Sequence, residues 1–324
     1  MMQRVFIPLI AAFLTLVGCT VHQYPEDGAT ADDSAVVDFT LNLRIPKQLP
    51  QYQTVDFVSK AGEAVSARYV VAFYKYKGGT YEDTPSVATV ELGEGMADRS
   101  ITVQIEPAEY HILAWVDYAN PDGSSLYYDA ESYSEVALTK GSHSGNNPYR
   151  DAYYGKEDIS LSFLKGNRTS YAHTIGLVRP NARFEFIATD KEQFLKTVGA
   201  DADLSNFRVM VTYPLFMPST FNLNQERPTD ASVGMAFTGP MTVLEDGNIG
   251  LGFDWVFAAP EDQTVLVSLS IYSPSGELLS TVNNIEVPLC PGKNTTVKGN
   301  LLTNGVSNGI SINPGFEGDI VINI

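Results

Sequence analysis

Apolar and polar residues alternate strictly where the body of the chain begins. Over residues 37–45 every second residue is apolar, and the residues between them are polar. Because successive side chains of a strand point to opposite faces, this pattern predicts a β-strand with one buried face. Comparable runs follow at residues 68–77, 100–105, 109–118, 134–138, 158–163, 183–188, 207–213, 250–258, 264–273, 278–287, 295–301 and 319–324, with another beginning near Tyr171.

Turn residues separate these runs and set the fold class. Residues 274–277, with the sequence Pro-Ser-Gly-Glu, are typical of a tight turn between two strands. The short spacing between runs favours an antiparallel β-sandwich over alternating strands and helices. Residues 191–198 differ, because their apolar side chains share a helical face; Thr189 or Asp190 can cap this helix and Gly199 can end it.

A polar stretch divides the strands into two series of comparable length. Residues 164–170 read Leu-Lys-Gly-Asn-Arg-Thr-Ser and have little to bury, as is common at domain boundaries. The sequence therefore predicts an all-β protein with an N-terminal β-sandwich over 36–165 and a C-terminal β-sandwich, containing the short helix, over 170–324. A single elongated sandwich is the alternative.

The first residues are typical of an export signal. Arg4 precedes an apolar run over residues 5–17, which is shorter than the roughly 20 apolar residues that span a bilayer. Leu-Val-Gly-Cys at 16–19 resembles the lipobox of bacterial lipoproteins. We therefore expect residues 1–18 to be a lipoprotein signal peptide and Cys19 to carry the lipid. The alternative is an ordinary secretory signal that ends by chance in a cysteine.

The lipid would tether the protein to the outer membrane, with the body at the cell surface. By resemblance to lipoprotein sorting rules, Thr20 in place of an aspartate favours the outer over the inner membrane. Residues 19–35 are acidic with almost nothing to bury, which predicts a flexible stalk. Cys290 is the only other cysteine, so a lipidated chain has no internal disulfide.

The charge and the lack of catalytic patterns exclude several classes of function. The formal net charge is −17, so we expect no nucleic-acid partner. The four histidines have no metal-ligand spacing. His143 stands between two serines with Asp129 and Asp151 nearby, but without a Gly-x-Ser-x-Gly elbow we interpret this segment as a loop. We predict no catalytic residues, no metal and no cofactor.

Tyrosines are concentrated between residues 118 and 154, and they support a second hypothesis. Exposed tyrosines can stack on sugar rings, which would make the protein a glycan-binding lipoprotein of the outer membrane. The alternative is that they pack on the core with their hydroxyls at its rim. These residues are Tyr118, Tyr127, Tyr128, Tyr133, Tyr149, Tyr153 and Tyr154.

Three blocks carry a resemblance to a known family. Residues 106–118 contain Ala-Trp-x-Asp, residues 149–155 contain Asp-Ala-Tyr-x-Gly, and residues 179–186 open with Arg-Pro-x-Ala. In this order, and with the lipobox, they resemble the fimbrillin-like surface lipoproteins of the Bacteroidales. The resemblance implies two transthyretin-like β-sandwiches and a role in surface fimbriae as a stalk, tip or anchor subunit. Its expected partners are other fimbrial subunits or the protein itself, with a host protein or glycan as a further candidate.

Assembly by strand exchange needs an open sheet edge and an extended donor segment from another chain. The alternating residues 319–324 suit the donor role. The alternative is that they form the last strand of their own domain, which has the same period. The proposed donor residues are Asp319, Ile320, Val321, Ile322, Asn323 and Ile324.

Within the fimbrillin resemblance, a protease that cuts after an arginine removes the first strand and opens the acceptor groove. Arg44 ends the first alternating run and Arg68 precedes the second, so these two residues are the candidate cleavage sites. The alternative is that each is an exposed residue on a strand face. An anchor subunit would not be cut at all.

Overall fold

The structure, a computed structural model, describes residues 36–46, 64–141, 143–166, 170–261, 263–303, 306–310 and 320–323, the last two segments as backbone. As predicted, the described residues are mostly β-strand, with one α-helix, α1 (Lys191–Val198). The earlier strands are β1 (Val37–Arg44), β2 (Ser66–Lys77), β3 (Thr80–Tyr81), β4 (Val87–Gly93), β5 (Arg99–Ile105), β6 (Glu109–Ala119), β7 (Tyr128–Asp129), β8 (Glu135–Leu138), β9 (Tyr153–Ser160) and β10 (Tyr171–Gly176). The later strands are β11 (Asn181–Ala188), β12 (Arg208–Thr212), β13 (Met217–Asn222), β14 (Arg227–Ser232), β15 (Ala236–Pro240), β16 (Thr242–Val243), β17 (Ile249–Phe257), β18 (Gln263–Tyr272), β19 (Leu278–Leu289), β20 (Asn294–Gly299), β21 (Val306–Ile310) and β22 (Ile320–Asn323).

Two sheets enclose a first hydrophobic cluster. β1 lies at the centre of a three-stranded sheet, between β5 and β10. The facing sheet has β2 paired with β3, β4 and β6, and β6 paired with β9. The inward side chains of β1 are buried, as the alternating pattern predicted, and Phe39 packs edge-on against Phe73 of β2 with ring centroids 5.9 Å apart.

Strand β2 is buried on both faces. Eight consecutive residues, 67–74, are shielded from solvent, and all of them except Arg68, which is paired with Asp117, are apolar or aromatic. Tyr69 and Val71 point into the first cluster. A second layer, the sheet β14-β13-β8-β7, covers the opposite face, and its strands β8 and β13 come from the two different strand series. The cluster between these layers includes Val70, Ala72, Trp115, Tyr128, Phe221 and Phe257.

Two further sheets enclose the cluster of the second series. Their strand orders are β16-β17-β11-β20-β22 and β15-β12-β18-β19-β21. Helix α1, whose predicted bounds are confirmed, packs Phe194 against Phe207 with ring centroids 5.5 Å apart. Asp190 occupies the N-cap position, but its carboxylate accepts hydrogen bonds from the backbone N–H groups of Leu302 and Thr303 instead of capping the helix.

The sheets are not purely antiparallel, in contrast to the predicted sandwiches. β1 pairs in parallel with β10, β11 with β20, β19 with β21, and β20 with β22. Parallel neighbours require a long connection, and each of these pairs is distant in sequence. Because β10 pairs with β1, residues that follow the polar stretch 164–170 join the first sheet, and Ile175 and Leu177 join the first cluster. The division into two transthyretin-like domains stays a prediction.

Residues 143–150 form an insertion that connects the two strand series. The sequence predicts a loop in this segment. The N–H of Asn146 donates to the carbonyl of Phe253 in β17 (2.9 Å), and the side-chain oxygen of Asn146 accepts from the Phe253 N–H (2.8 Å). Asn146 adopts a left-handed conformation with φ 55°, which asparagine tolerates better than most residues. One residue therefore satisfies both backbone groups of Phe253 on this side.

A buried polar cluster fixes the same insertion. Nη1 of Arg150 lies 2.5 Å from Oδ1 of Asp254, and Nε2 of His143 lies 2.5 Å from Oδ2. The Tyr213 hydroxyl donates to Oδ2 as well (2.5 Å). Burial raises the pKa of the Asp254 carboxyl, but the neighbouring His143 and Arg150 outweigh burial and hold this pKa below its ordinary value. Removing Arg150 would leave the buried Asp254 carboxylate without its permanently charged partner, which is destabilising.

Gly145→Ala is expected to lower the free energy of unfolding by about 1–3 kcal/mol, because the added Cβ would lie 2.4 Å from the Phe237 ring. Gly176→Ala is the matched control, since its Cβ would meet open space, and its effect should stay within about 0.5 kcal/mol. Urea denaturation measures both. Equal losses in the two variants would show that the insertion is not packed in this way.

Candidate functional site at the strand edges

The C-terminal strands lie on the outer edges of both sheets of the second series. β21 pairs with β19 and β22 pairs with β20, each in parallel, and each is the terminal strand of its sheet. An edge strand leaves a row of backbone N–H and C=O groups available to an added strand. In this chain the tail, meaning strands β21 and β22, fills two such positions by backbone pairing.

The predicted donor segment lies largely within β22. Ile320 pairs with Thr295, and the register continues to Asn323 opposite Lys298. Asp319 and Ile324 lie outside the described residues. The pairing is within the chain, as expected for the last strand of a domain, and it is also the contact that an exchanged strand would replace. The donor role stays a prediction.

The second part of the site is the slot that β1 occupies. β1 forms antiparallel pairs with β5 from Val37 to Leu43 and parallel pairs with β10 from Phe39 to Arg44. The inward residues of the strand are at most 4% exposed. Removing β1 would therefore leave an apolar groove with a free backbone row on each side. These inward residues are Val37, Phe39, Leu41 and Leu43.

Arg44 lies at the accessible end of this slot. Its side chain is 59% exposed, and Nη1 donates to Oδ2 of Asp98 (2.6 Å). The other Asp98 oxygen accepts from the Ile45 N–H (2.9 Å), while the Arg44 carbonyl accepts from the Leu177 N–H (2.8 Å). Both groups of the Arg44–Ile45 peptide bond are therefore held. The hydrogen bond from Arg44, and then that from Ile45, lower the pKa of Asp98, so this carboxylate stays ionised at neutral pH.

Arg68 has the opposite environment. It lies inside β2 and is 5% exposed. Its Nε and Nη2 donate to the two oxygens of Asp117 at 2.9 and 2.7 Å, and Nη2 also donates to the Tyr128 carbonyl. A protease would have to open a central strand to reach Arg68. Cleavage at either arginine stays a prediction, and the geometry favours Arg44.

The other predicted residues are separated from this site. Cys19, the signal peptide over 1–18 and the stalk over 19–35 lie outside the described residues. No helix within the described part of the chain is both long and apolar enough to cross a bilayer. His143 contacts Asp254 and not the aspartates Asp129 or Asp151 that lie near it in sequence.

Three of the seven tyrosines in the 118–154 concentration lie in the core, and the other four are half-buried. Tyr128, Tyr153 and Tyr154 are buried, and burial raises the pKa of each hydroxyl. These hydroxyls are satisfied inside the protein: that of Tyr128, for example, donates to the Arg150 carbonyl (2.6 Å). Burial therefore favours the reading that these three tyrosines support the core.

Asp98 and Leu177 are the residues of this site that the sequence analysis missed. Asp98 is 54 residues from Arg44 along the chain, and Leu177 contacts the same residue from beyond the polar stretch 164–170. Their sequence surroundings are ordinary turn and strand-end positions. Only the pairing of β1 with both β5 and β10 brings them together.

Comparison with known proteins gives a family and a set of structural neighbours. A model described as Family of unknown function (DUF6562) matches residues 29–324, a span that includes every described residue. No curated protein matches the chain.

Several solved structures resemble the fold. A proposed cell adhesion protein from Bacteroides eggerthii is 12% identical with a TM-score of 0.44, covering 84% of this chain and 89% of its own. The fimbrial anchor protein Mfa2 from Porphyromonas gingivalis is 12% identical with a TM-score of 0.38, covering 76% and 82%. A fimbrial assembly protein from Parabacteroides distasonis has the same identity and TM-score, covering 82% and 92%. The predicted resemblance to Bacteroidales fimbrial proteins is confirmed by these matches.

Asp98→Ala is expected to speed tryptic cleavage after Arg44 several-fold, because the guanidinium and the Ile45 N–H lose their shared acceptor. Asp122→Ala is the matched control, since that exposed carboxylate bonds only within its own turn, to Ser124. The cleavage rate is followed by mass spectrometry of the native protein. Unchanged cleavage after Arg44, or a first cut after Arg68, would contradict this description of the site.

Proposed function

The chain belongs to the DUF6562 family, and we propose that it is a lipid-anchored structural or adhesive component of cell-surface fimbriae that joins other subunits through exchanged strands. The observation that carries this proposal is the placement of the tail on both sheet edges. Within the described residues, β21 and β22 reach these edges through backbone pairing. Backbone pairing is largely independent of sequence, so a strand from another chain can take the same position.

The β1 slot provides a matching acceptor. Its four buried side chains alternate with outward polar residues, and the tail has the same period at Ile320, Ile322 and Ile324. A donor strand entering after loss of β1 would regain backbone pairs with β5 and β10 and refill the apolar groove. The gain in apolar burial is about 25 cal/mol per Å² removed from water, which favours a filled slot over an empty one.

Cleavage after Arg44 would couple exchange to release from the membrane. Cys19 precedes Arg44, so a cut there separates the lipid from every strand except β1. An uncut chain keeps both the lipid and its own β1 and therefore acts as an anchor. A cut chain has an open slot and no lipid, as a stalk subunit requires. In this proposal, cleavage of one peptide bond distinguishes the two roles.

We further propose that the body consists of two transthyretin-like sandwiches. Two hydrophobic clusters support this division: one draws on residues 37–177 and the other on residues 182–302. The third cluster and the insertion at 143–150 join them. Partners that carry nucleic acid are not expected, since the net charge of −17 repels phosphate.

Ile322→Asp is expected to abolish self-association or joining to partner subunits, because it places a charge on the apolar face of the donor strand. Asn323→Asp is the matched control, since it adds a similar charge at the adjacent position, which alternation places on the opposite face. Deletion of residues 319–324 should act like Ile322→Asp. The readout is the ladder of polymers on mildly denaturing gels of surface material. Equal ladders from all variants would reject a donor role for this segment.

Cys19→Ala is expected to release the protein from the membrane fraction, because the acyl group has lost its attachment site. Cys290→Ala is the matched control and should leave the fractionation unchanged. Both variants are followed by immunoblotting of membrane and soluble fractions. A Cys19→Ala protein that stays with the membrane would reject the lipid anchor without affecting the case for strand exchange.

A further inference from the structure

A polar and aromatic cavity lies away from the strand edges that the proposed function uses. Its volume is about 470 Å³, and it is built from both strand series. Strands β2, β3, β6 and β9 and the turn between β13 and β14 contribute to it. The lining residues are Tyr74, Tyr81, Glu82, Asp83, His111, Ser134, Asp158 and Asn224. We call it the tyrosine cavity.

A hairpin with a two-residue turn places an exposed aromatic pair at the rim of the cavity. Tyr76 of β2 and Tyr81 of β3 face each other across the ladder with ring centroids 5.2 Å apart. The connecting turn contains Gly78 (φ 65°) and Gly79 (φ 100°), and a tight turn with two positive φ angles matches the twist of the paired strands. The rings are nevertheless 40% and 37% exposed. Exposed tyrosines that are fixed in place lose little entropy when a ligand stacks on them.

The floor of the cavity is also fixed. Nδ1 of His111 lies 2.5 Å from Oδ1 of Asp158, and its Nε2 lies 2.7 Å from Oδ1 of Asn224. The Tyr81 ring packs on the imidazole with centroids 5.4 Å apart. Lys156 donates to the Asn224 carbonyl (2.7 Å), which holds the turn of the second series against the first. The cavity is therefore complete only when the two series are docked.

The charges of the tyrosine cavity restrict its ligand. Three carboxylates, from Glu82, Asp83 and Asp158, surround it and repel anions. Glu82 lies 3.9 Å from Nζ of Lys77, and Asp158 contacts the imidazole of His111. Beside these carboxylates, which accept hydrogen bonds, the cavity has an exposed aromatic ring and amide and hydroxyl groups that both donate and accept hydrogen bonds.

We propose that the tyrosine cavity binds a neutral pyranose ring at the end of a glycan. The apolar C–H face of such a ring suits the exposed Tyr81, and its hydroxyls suit Asp83, Ser134 and Asn224 at the cavity wall. A ligand of this class needs no charge compensation from the protein. The site differs from the buried tyrosines of residues 118–154, and it goes beyond the strand-exchange role, since none of its residues lies in β1, β21 or β22.

The test is binding of the full-length protein to an array of neutral, amine-bearing and acidic glycans, followed by titration with the methyl pyranoside of the preferred terminal sugar. The wild-type protein should bind neutral glycans saturably. Tyr81→Ala should weaken this binding at least about ten-fold, as expected for loss of an aromatic anchor. Tyr81→Phe keeps the ring and should stay within about three-fold of the wild type, which corresponds to less than about 0.7 kcal/mol.

Phe163→Ala is the matched control, because it removes an aromatic ring that is 59% exposed and does not line the cavity. It should bind as the wild type does. The proposal is overturned by the absence of saturable binding to neutral glycans, by equal binding of Tyr81→Ala, or by preference for acidic or amine-bearing glycans. Polymer ladders are recorded for each variant. Intact ladders without sugar binding would reject the tyrosine cavity and leave strand exchange standing.

Discussion

Burial of the central sheet on both of its faces is the constraint on which the rest of the structure depends. β2 is apolar on both sides, so a single partner sheet cannot keep it from water. The sheet containing β1 covers one face, and the layer containing β8 and β13 covers the other. Because β13 belongs to the second strand series, the first series completes its burial only by docking onto the second. The insertion at 143–150, held by Asp254, reinforces the same junction.

Backbone pairing is the interaction on which the proposed strand exchange depends. β1 and β22 are each bound to strands that are distant in sequence, so neither depends on a tight turn for its position. Each of these strands contributes an extended backbone and an alternating apolar face. Another copy of the chain carries a segment with the same two features. The peptide bond after Arg44 lies where such a strand leaves the body. Asp98 accepts hydrogen bonds from the residues on both sides of that bond.

Sequence periodicity predicted the strands and the helix that have a regular apolar pattern better than it predicted which elements lie beside them. It identified β1, the helix at 191–198 and the alternating tail, because each has a regular pattern within one segment. It missed β4 and β13, where inward and outward residues are less distinct in character. It also treated Arg44 and Arg68 as equivalent. Their environments differ because Arg68 finds a buried carboxylate in Asp117, whereas Arg44 ends its strand in solvent.

The sequence by itself determined that the chain is mostly β, that one face of β1 is buried, and that the net charge is −17, which disfavours a nucleic-acid partner. These properties follow from the local period of apolar residues and from composition. Neither depends on which distant segments come together in the fold. Tertiary structure alone decided the parallel edges occupied by β21 and β22, the hydrogen bonds from Arg44 and Ile45 to Asp98, and the tyrosine cavity. Each joins residues separated by dozens of positions, and no local pattern encodes which distant strand or turn will supply the partner.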